Sequence, residues 1–497
     1  MKKNEGTERR SLHFLLVSML ALLALVAAAC GSTTDDAEAE TADTGDEAAE
    51  TDEADAEDEE AMEDEEAMED EEAMEDEEAM EDEGPGEFDG QEINVAIVGN
   101  PNLDVIAALT PEYFTAETGL TVNFTQLPED ELRAVTTRDV NAGGEQFDVV
   151  QIGMFETPQF GAAGNLLSLN PFIDATPEYN VDDLLPAVRG GLSVDGELFS
   201  APFYGESSFI MYRADLIDNM PEAPTWEEVA AIANEVNSDE IAGICLRTRP
   251  GWGDLGATFG TVLNTFGGTY WLANDDGSIG EAQVDQPEFR EALEFYNDLY
   301  QSAGQGDLDA SFNECRTLFD EGQVAIWYDA TVAAGLLEEG QQAGNIGYAL
   351  APTNVTDNSG WLWAWTLAIP ESTSNADAAW EFISWATSEE YITLAGEQEG
   401  WASAPPGTRT STYENPNYQE AAASFAQRTL DAMNAAPIDN PGTTPRPGLP
   451  GVQYVGVPEF QDVGNTCTQQ FNAYFSGSLS IDDAIATCQE VAAAESN

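Results

Sequence analysis

The chain has 497 residues, with 95 Asp or Glu against 15 Lys or Arg and a formal net charge of −80. Its one histidine and both lysines fall within the first 13 residues, which excludes Ser-His-Asp or Cys-His catalysis, histidine zinc sites, Schiff-base lysines and Walker lysines from the rest of the chain. A chain this acidic repels phosphate backbones, and we therefore expect no nucleic-acid partner.

The N-terminus is typical of an export signal, with basic residues in the first ten positions and an apolar run over Leu12–Ala29. The segment Leu25–Ser32 resembles the processing box of bacterial lipoproteins. We therefore interpret residues 1–29 as a lipoprotein signal peptide and Cys30 as the lipidated first residue of the mature protein. The alternative is a short hydrophobic anchor in which Cys30 is incidental.

Residues 30–90 form a low-complexity acidic segment, in which positions 31–90 contain 32 Asp or Glu and no Lys or Arg. A six-residue unit, Met-Glu-Asp-Glu-Glu-Ala, begins at Met62, Met68 and Met74. Like charges at every helical neighbour position, with little apolar surface to bury, predict a disordered, lipid-anchored tether. A calcium-binding or partner-docking role for its carboxylates is the alternative.

From residue 91 onward the composition is that of a globular protein of about 400 residues, long enough for two α/β lobes. The opening pattern predicts strand Ile93–Val98, helix Asp104–Thr118, strand Thr121–Gln126, helix Glu129–Ala142 and strand Asp148–Ile152. This order predicts a parallel, doubly wound sheet with ligands beyond the carboxyl ends of its strands. No apolar run past the leader reaches the roughly 18 residues of a membrane-spanning helix.

Four cysteines follow Cys30, and an even number in an exported domain favours disulfides. Cys467 and Cys488 lie in two predicted helices joined by a short Gly-Ser turn, a spacing that suits a disulfide within a helical hairpin. Cys245 and Cys315 are then left to pair with each other, with buried free thiols as the alternative.

Several short runs, in a fixed order along the chain, carry a family resemblance. They are Gln146–Val150, Gly153–Glu156, Pro202–Phe209, Met211–Arg213, Gly243–Arg247, Pro250–Gly253, Asn264–Gly268, Asp329–Gly335, Trp361–Trp365, Gly400–Trp401 and Pro405–Arg409. Over residues 92–495 the chain resembles family 1 extracellular solute-binding proteins, the substrate receptors of bacterial sugar ABC importers. Among these it is most similar to receptors for sorbitol, mannitol and related polyols, although Asn102 stands where that group usually has an aspartate.

The resemblance implies an α/β, two-lobed periplasmic-binding-protein-like fold of type II, in which each lobe is a doubly wound, mainly parallel sheet. Hinge crossovers would lie near residues 202, 328 and 367. Lobe 1 would then contain residues 91–202 and about 329–367. Lobe 2 would contain residues about 203–328 and 368–497. The implied function is that of a lipid-anchored receptor of an ABC transporter. It would capture a sugar alcohol or a monosaccharide between the lobes and deliver it to the transmembrane permease subunits.

The resemblance also implies a monomer on the extracellular face of the cell membrane, or in the periplasm if the cell has an outer membrane. No cofactor, metal or catalytic residue is implied. A receptor for hydroxylated ligands needs carboxylates, amides and arginines to bond the hydroxyls and aromatic rings to cover the carbon skeleton. The candidate ligand-binding residues are Asn100, Asn102, Glu156, Glu206, Arg247, Trp252, Trp327, Asp329, Trp363, Trp365, Trp401 and Arg409.

Other interpretations of these residues stay open. Glu206 or Asp329 could bond at a hinge, Arg247 could neutralise nearby acids, and either tryptophan of Trp363 and Trp365 could belong to the core. Glycosidases flank a sugar with two carboxylates, which would make Glu156, Glu206 and Asp329 candidates for catalysis. Because residues 91–497 contain 61 acidic side chains, such proximity is expected by chance. A receptor for an oligosaccharide and a surface adhesion lipoprotein are the further alternatives.

Overall fold

A computed structural model describes Gly86 and residues 88–496. The predicted signal peptide, the lipidation site Cys30 and nearly all of the predicted tether lie outside the described residues. Within the part of the chain that is described, no helix combines the length and the apolar character needed to cross a membrane.

The structure describes thirteen strands, numbered here in chain order. They are β1 Glu92–Val98, β2 Thr121–Leu127, β3 Val149–Gly153, β4 Ser193–Val194, β5 Glu197–Leu198, β6 Ala201–Glu206, β7 Ser208–Arg213, β8 Ala242–Cys245, β9 Trp271–Ala273, β10 Ile279–Ala282, β11 Val324–Ala330, β12 Ile346–Leu350 and β13 Trp363–Ala368. Five of them form one sheet in the order β2-β1-β3-β13-β6, and four form a second sheet in the order β12-β7-β11-β8. The remaining strands pair as β9 with β10 and β4 with β5.

Helices cover these sheets. The longer ones are Pro101–Thr110, Glu129–Ala142, Trp226–Val236, Leu255–Thr265, Pro287–Ala303, Ala376–Ala386, Glu389–Glu399, Ala426–Ala435, Phe460–Phe475 and Ile481–Ala494. The shorter ones are Ala116–Thr118, Glu156–Ala163, Asn170–Ala175, Pro186–Gly191, Phe312–Asp320, Ala333–Glu338, Thr410–Glu414 and Pro416–Ala421. A π-helical turn lies at Pro111–Thr115, and 3₁₀ turns lie at Pro177–Tyr179, Val181–Asp183 and Trp401–Ser403.

The five-stranded sheet confirms the predicted β-α-β-α-β order, because β1 pairs in parallel with both β2 and β3. The largest shift is in the first helix, which begins at Pro101 instead of the predicted Asp104. Asn100 caps this helix, since its Oδ1 accepts a hydrogen bond from the backbone N–H of Leu103 at 3.2 Å. Pro101 fits the first helical position, where its missing N–H leaves no bond unmade.

The four-stranded sheet differs from the predicted mainly parallel arrangement. Among its described pairings β8 and β11 are parallel, whereas β7 runs antiparallel to both β11 and β12. The reason lies in the crossover, where only Ser207 separates the end of β6 from the start of β7. The chain therefore enters the second sheet at the edge where β8, β11 and β12 end, and β7 must run in the opposite direction.

The pairing also differs from the predicted lobe boundaries. β12 belongs to the second sheet, with Leu350 opposite Phe209, although residues 329–367 were expected in the first lobe. The helix Ala376–Ala386 packs on the first sheet, since the ring of Phe382 lies 5.8 Å from that of Phe124 on β2. We therefore use "first lobe" for residues 88–206 and 363–399, and "second lobe" for residues 208–362 and 410–496.

Both predicted disulfides are present. Cys467 and Cys488 join the helices Phe460–Phe475 and Ile481–Ala494, and Cys245 at the end of β8 pairs with Cys315. All four cysteines are buried. The second bridge ties the loop that follows β8 to the helix Phe312–Asp320, two segments that border the cavity described next.

Candidate functional site

A cavity of about 440 Å³ lies between the two lobes, where β1, β2, β6 and β11 end. Its volume falls within the range of roughly 300–1,000 Å³ that is usual for small-molecule sites. Carboxyl ends of strands from both sheets converge here, as the doubly wound topology predicts. The polar and aromatic residues that line it are Asn100, Gln126, Glu129, Tyr204, Glu206, Arg247, Arg249, Asp254, Ser311, Phe312, Asn313, Glu314 and Trp365.

Arg247 is a buried cation of the second lobe that lines the cavity, with only 5% of its surface exposed. Its Nε and Nη2 donate to the two carboxylate oxygens of Asp329 at 2.9 and 2.6 Å, and Nη1 donates to the carbonyl of Gly253 at 3.0 Å. The carboxylate of Asp254 lies 3.7 Å from Nη1. Burial opposes the charge, but the neighbouring carboxylates outweigh it and raise the pKa of Arg247.

Asp329 lies behind Arg247 instead of lining the cavity, and it is fully buried. Its carboxylate also accepts hydrogen bonds from Trp327 Nε1 at 3.0 Å and from the backbone N–H of Ala330 at 2.7 Å. Trp327 is likewise fully buried, with its ring 5.3 Å from that of Phe312. Both residues were predicted to contact a ligand, but in the structure they hold Arg247 in place.

Glu206 ends β6 and faces the cavity from the crossover, opposite Trp363 on β13. Burial raises the pKa of Glu206 well above its ordinary value; Arg247 opposes this shift, while Asp329 and Glu129 add to it. A protonated carboxyl both donates and accepts hydrogen bonds, and it can therefore pair with a hydroxyl as the donor or as the acceptor.

Asn100 and Tyr204 form a polar pair on the first-lobe side. Asn100 Nδ2 donates to the hydroxyl oxygen of Tyr204 at 3.1 Å, while its Oδ1 caps the first helix. Burial, together with the charge of Glu206, raises the pKa of Tyr204 well above its ordinary value, so the phenol keeps its proton. Across the cleft, Asn313 Nδ2 donates to the carbonyl of Gly99 at 3.2 Å, which joins the two lobes directly.

A smaller chamber of about 40 Å³ adjoins the cavity and contains most of the predicted tryptophans. Trp252, Trp361 and Trp363 line it, and Trp365 lines both spaces. The rings of Trp363 and Trp365 lie 5.6 Å apart, edge to face. These tryptophans form an aromatic wall beside the buried charges, and Trp361 was not among the predicted site residues.

Arg133 is the main residue that the sequence analysis missed. Its guanidinium lies 4.2 Å from the ring centre of Trp252, 5.0 Å from that of Trp363 and 4.6 Å from that of Trp365. It donates to Glu129 at 2.9 Å and also pairs with Glu156. Burial opposes its charge, but these two carboxylates outweigh burial and raise the pKa of Arg133.

Gly253 explains how the second lobe approaches so closely. A Cβ at this position would lie 2.4 Å from Glu129 Oε1 and 2.9 Å from Arg133 Nε. Any larger residue would force the side chains of Glu129 and Arg133, or the loop itself, to move. The signal for Arg133 is present in the sequence, because the first turns of that helix follow directly on β2 and so face the cleft.

Asp254 is a second residue of the site that the sequence analysis missed. Burial raises its pKa to about 8; Glu129 adds to the shift, whereas Arg247 and Arg249 oppose it. Arg249 is more exposed and pairs with Asp309 and Glu314. The second-lobe wall of the cavity therefore carries arginines that are each matched by two carboxyl groups.

The remaining predicted residues lie away from the cavity wall. Glu156 is buried behind Arg133, where its Oε2 accepts a hydrogen bond from the backbone N–H of Gly153 at 3.0 Å. Asn102 is buried in the first helix and lines none of the cavities described here. Trp401 packs over Gly396 on a neighbouring helix.

Arg409 is fully buried at a different place, where residues 179–183 and 387 approach it. Its guanidinium donates to the backbone carbonyls of Thr387 at 2.9 Å, Tyr179 at 3.0 Å and Asn180 at 3.2 Å. It also pairs with Asp183 at 3.3 Å. Arg409, predicted to contact the ligand, therefore lies away from the cavity wall, with donors directed to the backbone of the first lobe.

Among the described residues, no group of three or more His, Cys, Asp or Glu side chains is arranged to hold a metal ion. The residues that line the cavity offer hydrogen-bond donors, acceptors and aromatic faces as its binding groups.

Comparisons with known proteins agree on one family. The model of the family described as bacterial extracellular solute-binding protein matches residues 100–393. A mannitol-binding protein of Pseudomonas aeruginosa is 37% identical over 416 residues, which covers 82% of this chain and 93% of that relative.

Solved structures are similar over the same part of the chain. An ABC transporter solute-binding protein from Agrobacterium vitis S4, with bound D-mannitol, matches with a TM-score of 0.78 and 41% identity, covering 82% of this chain and 98% of that one. A ribitol complex from Agrobacterium radiobacter K84 matches with a TM-score of 0.70 and 20% identity, covering 82% and 99%, and supports the fold alone.

Proposed function

We propose, from the premise that this chain belongs to the bacterial extracellular solute-binding protein family, that its ligand is a sugar alcohol of the hexitol type. The protein is the binding component of an ABC transporter, and its activity is capture of a solute instead of chemical conversion. The ligand would lie in the 440 Å³ cavity between the lobes.

The observation that carries this proposal is the balance of groups around the cavity. Arg247 and Arg249 are each paired with carboxylates, Glu206 has a raised pKa, and Trp365 contributes an aromatic face. Such a wall has many hydrogen-bonding groups but no unpaired cation to attract an anion among the described lining residues. A neutral molecule with a hydroxyl on every carbon matches it, because each hydroxyl both donates and accepts.

The relatives favour a polyol over a ring-form sugar. A protein that shares 37% identity is a mannitol-binding protein, and a structure that shares 41% identity contains D-mannitol. More distant matches include an erythritol/L-threitol-binding protein of Mycolicibacterium smegmatis, 24% identical over 62% of this chain. An oligosaccharide is the second candidate ligand, supported by the maltotriose-binding protein of Pyrococcus abyssi at 23% identity.

Capture would proceed by closure of the lobes over the ligand. Contacts between lobes already border the cavity, namely Asn313 with Gly99 and Arg133 with Trp252. A ligand shifts the equilibrium to the closed form only to the extent that it binds that form more tightly. The closed form would then dock on transmembrane permease subunits, with ATP hydrolysis supplied by separate subunits.

The location of the protein follows from the same proposal. Cys30 would carry the lipid, residues 1–29 would be removed as a signal peptide, and residues 30–90 would tether a monomeric binding domain at the outer face of the membrane. Metabolic labelling with a palmitate analogue tests this. We expect label on the full-length protein but not on Cys30→Ala, which should be released into the medium or periplasm.

Isothermal titration of residues 87–497 with a panel of hexitols, pentitols and monosaccharides tests the ligand. We expect micromolar or tighter binding of at least one hexitol, and recovery of the intact polyol after long incubation. Tighter binding of an oligosaccharide than of every hexitol would overturn the polyol proposal. Cleavage of a glycoside that is lost in Glu206→Gln would overturn the receptor function itself.

A further inference from the structure

The small chamber beside the cavity has the dimensions of a single hydroxylated carbon. Its volume of about 40 Å³ exceeds the roughly 10–15 Å³ that one water molecule requires. It shares Glu129, Glu206, Arg247 and Trp365 with the larger cavity, so the two spaces lie side by side. The rest of its wall consists of three tryptophans, Trp252, Trp361 and Trp363, together with Arg133, Gly253, Ala257 and Gln453, and the indole faces suit a methylene group.

Two polar atoms of this wall are buried without a hydrogen-bond partner among the described residues. They are Nε1 of Trp361 and Oε1 of Gln453, whose side chains belong to residues only 2% and 3% exposed. Gln453 Nε2 donates to the carbonyl of Leu362 at 3.4 Å, which places this amide beside the neighbouring Trp361. Buried polar groups are nearly always paired, and because this donor and this acceptor belong to residues that line the same chamber, one ligand group in the chamber could pair with both.

We propose that the chamber is a subsite for a terminal hydroxymethyl group of the ligand. The hydroxyl accepts a hydrogen bond from Trp361 Nε1 and donates one to Gln453 Oε1. An indole N–H can only donate and an amide oxygen can only accept, and a hydroxyl satisfies both with one atom. This inference rests on the proposed function, because an acyclic polyol carries such a group at each end.

Matched ligands and matched variants test the subsite. D-mannitol and its 1,6-dideoxy analogue, in which neither end has a terminal hydroxyl, are titrated into the wild type, Trp361→Phe and Gln453→Leu. We expect the wild type to bind mannitol at least about tenfold more tightly than the dideoxy analogue, and this ratio to fall about fivefold in each variant. Melting curves verify that each variant is folded.

Trp226→Phe is the matched control. Trp226 Nε1 is also buried without a partner among the described residues, but Trp226 lines neither the cavity nor the chamber. The ratio of mannitol affinity to dideoxy-analogue affinity in Trp226→Phe should therefore equal that of the wild type. Equal loss of affinity for both ligands in the two test variants would overturn the subsite and favour a resident water in the chamber. If Gln453→Leu does not fold, Trp361→Phe decides alone. If the wild type binds no polyol, the proposed function fails, whatever the variants do.

Discussion

Replacing Asp329 by Asn should weaken both the fold and ligand binding, because Asp329 holds Arg247 in the cavity wall. The two carboxylate oxygens accept bonds of 2.9 and 2.6 Å from the guanidinium, and Asp329 is fully buried. Asparagine keeps the size of the side chain but cannot balance the charge. Removing one partner of a buried ion pair costs about 3–5 kcal/mol.

This cost can be converted into a melting temperature. At about 2.1 cal/mol/K per residue, the roughly 410 described residues give an unfolding entropy of about 0.9 kcal/mol/K. A loss of 3–5 kcal/mol then lowers the melting temperature by about 3–6 °C. Asp254 lies 3.7 Å from Arg247, but its raised pKa of about 8 leaves it mostly protonated at pH 7, so it takes over little of the pairing.

Calorimetric melting at pH 7 and titration with the preferred hexitol measure the two effects. The hexitol affinity should fall at least about tenfold, since a misplaced Arg247 loses hydrogen bonds to the ligand. The control is Asp182→Asn, which breaks an ion pair with Arg189 at the surface, where the Asp182 side chain is 89% exposed. This variant should shift the melting temperature by less than about 1 °C. Wild-type melting and wild-type affinity in Asp329→Asn would refute a positioning role for this pair.

Three further predictions follow from the charges. Arg409→Ala should lower the melting temperature but keep hexitol affinity within about twofold, because this guanidinium bonds the backbone away from the cavity. A tenfold loss of hexitol affinity would contradict a purely structural role for Arg409. Burial raises the pKa of Asp254 to about 8. The stability that the protonated Asp254 contributes is therefore present below about pH 4 and is lost as the pH rises through about 8. Asp254→Asn should flatten the dependence of melting temperature on pH, and an unchanged slope would refute the raised pKa. Added salt screens the 61 acidic side chains of residues 91–497, so the melting temperature should rise from 0.05 to 2 M NaCl, and a flat curve would count against self-repulsion.

The parallel part of the first sheet could be predicted from sequence because its signals are local, whereas the antiparallel pairing of β13 with β3 and β6 could not. Apolar periodicity and turn residues define β1, β2 and β3 and the helices between them, and a parallel order follows from helical crossovers. The second sheet could not be predicted in the same way. The direction of β7 depends on the single residue Ser207 between two sheets, and no periodicity encodes a passage between lobes.

The types of residue at the site could be predicted from the sequence, but not which of them line the cavity and which lie behind its wall. Asn100, Glu206, Arg247 and Trp365 line the cavity as expected. Asp329 carries the same kind of side chain as Glu206 and also stands near a crossover, yet it lies one layer deeper, behind Arg247. Only three-dimensional packing separates a residue that faces the cavity from one that orients its neighbour.

The chain is strongly acidic, and the few basic side chains around its cavity are paired with carboxyl groups. Residues 91–497 have only 11 basic side chains, all arginine, and three of these, Arg133, Arg247 and Arg249, stand around the cleft. Each is bonded or close to two carboxyl groups, so its charge is balanced within the protein. An anionic sugar would have to compete with those carboxyl groups and approach through a strongly negative field. A neutral polyol meets neither obstacle, since its hydroxyls use the donors and acceptors that such pairs leave free.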